Sequence, residues 1–86
     1  MFLHLGGETV VLKKDIIAIL DINTKRSAST REFMEISTDE GFIRQLSETG
    51  KEKSIIITSK DIYISSISCT TLKKRAALTI GIVEDL

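Results

Sequence analysis

Apolar residues in this chain arrive in short β-branched runs, Val10-Val11, Ile16-Ile17, Ile55-Ile56-Ile57 and Ile62-Tyr63-Ile64, with charged or glycine-bearing segments between them. Branched side chains pack well on a pleated surface and lose rotamer freedom in a helix, so such runs read as strands. The opening predicts a hairpin of residues 2–5 and 9–12 about Gly6-Gly7, which supply the positive φ of a tight turn. Lys13-Lys14-Asp15 and a third strand over residues 16–22 follow.

Residues 23–29 turn polar and small, predicting an exposed loop that carries Lys25 and Arg26. Ser29 and Glu32 have capping-box spacing, which predicts a helix over 30–39 with Phe33, Met34 and Ile36 as its apolar stripe and Gly41 as its end. Residues 42–47 and 53–58 flank Glu48-Thr49-Gly50-Lys51 and predict a second hairpin, and residues 62–65 add a further strand. Ser68-Cys69-Thr70-Thr71 offers hydroxyl caps to a basic helix over 70–77. The tail, 78–86, begins β-prone and ends in acid, so edge pairing and fraying both stay open. The expected fold is α+β, mostly antiparallel strands with two short helices. Residues 1–86 show no repeat and no linker, and read as a single domain.

A chain of 86 residues leaves much of its surface unburied, so assembly with copies of itself would add to a thin stability margin and cover strand edges. Its 12 Lys plus Arg balance 12 Asp plus Glu, which removes the plain electrostatic footprint of a nucleic-acid binder. Only clustered charge supports DNA binding. One cysteine, Cys69, forms no internal disulfide, whereas secreted domains of this size are commonly stapled by several; a reducing cytoplasm is expected. The N-terminal apolar stretch is too short for a signal peptide, and no run approaches the roughly 18 residues of a membrane span.

Nucleophilic catalysis needs a nucleophile, a base and a group that orients the base. His4 is the sole histidine and lies in an alternating segment, where a strand-face or interface role is simpler. Cys69 precedes a helix whose dipole favours a thiolate, but a compact core residue is the plainer reading. No catalytic residue is expected, and the chain is not expected to be an enzyme. One His and one Cys cannot furnish a four-ligand zinc site, and Asp15, Asp21, Asp39, Glu40 and Asp61 lack calcium-loop spacing. Gly6-Gly7 opens no phosphate loop. No metal, cofactor or small-molecule substrate is expected. What remains are basic groups: Lys13-Lys14, Lys25-Arg26, Lys51 with Lys53, and Lys73-Lys74-Arg75. In a lone monomer they are solvated loops, while a cyclic oligomer repeats them into a band that suits a polyanion.

The segments His4-Leu5-Gly6, Lys14-Asp15-Ile16-Ile17-Ala18-Ile19, Ser54-Ile55-Ile56-Ile57-Thr58 and Ile62-Tyr63-Ile64-Ser65-Ser66-Ile67-Ser68-Cys69-Thr70-Thr71-Leu72-Lys73-Lys74-Arg75 resemble the bacterial extracellular matrix regulatory proteins, the RemB branch more than RemA. The resemblance runs through Ala76. It implies a LytTR-like domain assembled into a ring, whose RemA members bind promoter DNA and activate biofilm-matrix genes. RemA-like proteins carry an arginine just before the third strand and an arginine pair after a hairpin glycine, both tied to DNA contact. Here the first position reads Asp15, beside Lys14, and the pair after Gly50 reads Lys51 and Glu52. Lysine meets phosphate as a point charge without an arginine's fork, and an acid repels it.

The expected DNA contacts are Lys13, Lys14, Lys51 and Lys53, brought together by turns at one end of a sheet, with Lys25, Arg26 and Arg44 as additions. Arg75 is expected at an oligomer interface, paired with a neighbouring subunit's acid. The expected function is a cytoplasmic regulator that binds double-stranded DNA as a cyclic homo-oligomer. The alternative is a non-enzymatic scaffold that joins a related ring-forming protein.

Overall fold

The computed structural model describes residues 1–23 and 27–80. Strands β1 (Phe2–Gly6) and β2 (Thr9–Leu12) are followed by a 3-10 turn (Lys13–Asp15), β3 (Ile16–Asp21), α1 (Ala28–Asp39), β4 (Ile43–Gln45), β5 (Ser54–Thr58), β6 (Ile62–Ser65) and α2 (Cys69–Ile80). The fold is α+β with two helices, as the β-branched runs and the cap-like spacings together predict. The opening hairpin forms an antiparallel ribbon of its own, and the remaining strands make one sheet in the order β3-β5-β6-β4.

The isoleucine run at 55–57 takes the central strand, β5, because only a strand covered on both faces can bury successive residues. Ile56 joins Leu3, Leu5 and Val11 of the hairpin, Ile19 of β3, and Leu72 and Ala76 of α2 in one apolar cluster. Ile55 points the other way, into a cluster with Met34 of α1, Ile62 and Ile64. The sheet is thus a middle layer, with the hairpin and α2 on one face and α1 on the other. One buried serine, Ser65, fastens the hairpin to it, and a second, Ser54, holds the segment between β6 and α2. Ser65 Oγ donates to the Leu5 carbonyl at 2.5 Å and accepts from Ile67 N at 3.0 Å, while Ser54 Oγ donates to the Ile67 carbonyl at 2.7 Å.

Three sequence expectations change. First, β4 and β5 do not form a hairpin. β4 lies parallel to β6, with Ile43 opposite Ile62 and Gln45 opposite Ile64, so the sheet is mixed, while its other pairings are antiparallel as expected. β3 offers β5 a six-residue partner against three residues in β4, and β6 takes the other edge. Second, α1 starts earlier than Thr30 because Ser27, not Ser29, caps it; the Ser27 hydroxyl accepts from Thr30 N at 3.1 Å. Gly41 does end it, at φ 78°, with Gly41 N donating to the Thr38 carbonyl and Phe42 N to the Ser37 carbonyl. Of the expected stripe only Met34 is buried, and Phe33 and Ile36 face outward. Third, α2 starts at Cys69 and runs on through Ile80, so the β-prone Leu78-Thr79-Ile80 is helical. A docked helix adds a hydrogen bond with each residue, which outweighs propensity differences below about 1 kcal/mol. Ser68 supplies its hydroxyl cap, accepting from Thr71 N at 3.1 Å. The tail beyond Ile80 lies outside the described residues, among which no helix is long and apolar enough to cross a membrane.

Candidate nucleic-acid interface

Strand pairing decides where the cations sit. β3 and β5 are antiparallel, with Ile16 opposite Thr58 and Asp21 opposite Ser54. Lys14 precedes β3 and therefore stands at the Ile16 end, whereas Lys51 and Lys53 precede β5 and stand at the Asp21 end. The five residue steps of β3 put these ends on the order of 17 Å apart. The expectation that turns at one end of a sheet gather all four lysines fails within a single subunit. The cause is register: segments entering two antiparallel strands necessarily lie at opposite ends.

Lys13 fails for a second reason. It is buried, and its ammonium donates to the Ala76 carbonyl of α2, so it is not presented to a phosphate. Its neighbour Lys14 is exposed, because the 3-10 turn rotates one lysine inward and the next outward. α2 runs back along β3, with the Cys69 thiol 3.5 Å from the Ile19 carbonyl at its start and Ala76 above Lys13. Lys13 is thus a strut between the turn and the helix. Replacing it with methionine, which keeps the stem but removes the charged donor, is expected to cost about 1.5–3 kcal/mol in urea unfolding. It should leave the salt dependence of any DNA binding unchanged.

At the Lys14 end the Thr58–Asp61 turn presents Lys60, a cation absent from the set that the sequence pattern singles out. The Thr58 hydroxyl accepts from Lys60 N at 3.2 Å and Asp61 N at 3.0 Å, and Ser59 N donates to the Asp15 carbonyl at 2.9 Å. Those bonds hold Lys60 beside the 3-10 turn. A polar Ser59-Lys60-Asp61 between two isoleucine-rich strands was the available signal for an exposed cationic tip. Arg44, on β4, is exposed and stands 3.6 Å from the Asp61 carboxylate.

The Asp21 end carries the loop between β4 and β5. Gly50 there has φ 88°, and its N–H donates to Glu52 Oε1 at 2.8 Å, so the acid at this position fastens the loop. Lys51 is exposed and paired with Glu48 at 3.3 Å, a surface contact of small energetic weight. Lys53 is exposed, and Lys14, Lys53 and Lys60 make no ion pair among the described residues. Lys25 and Arg26 lie outside the described residues. Arg75 is on the exposed side of α2. His4 is exposed on β1, its Nε2 2.7 Å from the Gly7 carbonyl, where it ties down the hairpin turn. Cys69 is half-buried at the start of α2.

These features define a small three-layer α+β domain with unpaired cations on loops at both ends of one mixed sheet. The RemA-like family model, described as extracellular matrix regulatory protein A-like, matches residues 2–76, and the chain belongs to that family. It is 38% identical over 76 residues to Extracellular matrix regulatory protein B of Bacillus subtilis (strain 168), across 88% of this chain and 90% of that protein.

Proposed function

We propose that this protein is a cytoplasmic, non-enzymatic regulator that assembles into a cyclic homo-oligomer, binds double-stranded DNA and influences transcription of extracellular-matrix and biofilm genes, on a LytTR-like fold. The observation that carries the reading is the pair of loop clusters, Lys14 with Lys60 and Lys51 with Lys53, held at opposite ends of the sheet in a chain of the RemA-like family. Phosphate affinity grows with the number of cations acting together. One subunit spreads too few of them too widely, and an oligomer multiplies them along its rim.

A second reading is favoured by a specific observation. Glu48 neutralises Lys51 and Asp61 stands beside Arg44, in a chain of zero net charge. Such a surface suits a scaffold that joins a related ring-former and leaves DNA to its partner. Native mass spectrometry followed by a mobility-shift assay on a mixed duplex at low salt separates the two. The DNA reading predicts an oligomer that retards the duplex. An intact oligomer that leaves the duplex unshifted would replace it with the scaffold.

A further inference from the structure

Six of the large apolar side chains left exposed fall into two groups on opposite faces of the sheet. On the hairpin side, Met1 is 68% exposed, Phe2 61% and Val10 53%. Strand alternation explains the last two: Leu3, Leu5 and Val11 point into the core, so Phe2 and Val10 point out. On the α1 side, Phe33 is 44% exposed, Ile36 56% and Phe42 47%, and these three line one groove with Ile57 and Ile62. Both areas border the Thr58–Asp61 turn, since Thr58 and Lys60 also line the depression beside Phe2 and Val10.

We propose that the outward face of the hairpin in one copy docks onto the Phe33–Ile36–Phe42 groove of the next. The inference rests on the oligomeric reading above and names its contact. Each area holds three large side chains of about 200 Å² at roughly half exposure, or on the order of 300 Å². That is the apolar centre of an interface whose usual extent is ~800 Å² per partner with its polar rim. Charge in the groove lining is limited to Lys60 and Asp61, which leaves apolar contact as the main term. Matching areas on opposite faces of one chain make a head-to-tail contact, which closes into a ring when the rotation between subunits allows.

Head-to-tail docking has a distinctive test. A hairpin variant, Phe2→Asp/Val10→Asp, keeps an intact groove, and a groove variant, Phe33→Asp/Phe42→Asp, keeps an intact hairpin face. By native mass spectrometry the wild type should be a multiple of its 9.5 kDa chain, each variant a single chain, and an equal mixture a 1:1 heterodimer and nothing larger. Should either aspartate pair lose the wild-type circular-dichroism spectrum, the matching serine pair takes its place in the same mixing experiment. A wild type that is itself a monomer would sink the oligomeric reading and this contact with it. An oligomeric wild type with unchanged variants, or monomeric variants that do not combine, would overturn this contact and leave assembly standing.

Discussion

Leu72→Ala is expected to lower stability by about 3–4 kcal/mol, in the middle of the range for a buried leucine truncation. Leu72 is fully buried, one turn before Ala76 on the face of α2 that meets Leu3, Leu5, Ile19 and Ile56. Its removal leaves a void between three elements that no one of them can fill alone. A domain of this length holds a margin of only about 4–13 kcal/mol, so the loss takes a large part of it. Urea unfolding followed by circular dichroism, at one fixed protein concentration because assembly shifts the midpoint, reads the effect. A loss below about 1 kcal/mol would mean that α2 is not docked as described. Ile17, which is 68% exposed on β3, supplies the contrast: Ile17→Ala should stay within about 0.5 kcal/mol of wild type.

The parts of this fold that were legible in the sequence are those that local pattern determines. Gly6-Gly7 between alternating residues specified the hairpin, and three successive isoleucines specified a strand. Partner choice was not legible. Ile43-Arg44-Gln45 is too short to carry a register of its own, and its place beside β6 follows from β3 having taken the edge of β5. The capping-box spacing of Ser29 and Glu32 points two residues too late, and the bond from Thr30 N places the cap at Ser27.

The candidate site divides the same way. Its cations were visible as residue types, but their distribution was not. Lys13 and Lys14 look alike in sequence. What separates them is the carbonyl of Ala76, 63 residues away along the chain, which receives the first and not the second. That Lys14 and Lys53 stand at opposite ends of a sheet depends on an antiparallel register, which no spacing in the sequence states.

Replacing Lys14, Lys51 and Lys53 together by alanine is expected to abolish most of the DNA affinity while leaving the fold and assembly intact. All three are exposed and none is part of either apolar cluster. Each phosphate contact contributes roughly 0.9 to the slope of log affinity against log salt. Losing three contacts should make the drop in affinity across a fourfold rise in salt about 40-fold smaller than for wild type. Sequence preference should stay modest in both proteins, because phosphate contacts position a protein without reading bases.

Whether these loop lysines hold DNA is decided by a salt titration of duplex affinity for the wild type and this triple variant, with oligomer mass recorded on the same samples. The expected result is an oligomer in both, a steep negative slope for the wild type and a shallower slope with weaker binding for the variant. A slope near zero for the wild type, or one that the three substitutions leave unchanged in an intact oligomer, would contradict it.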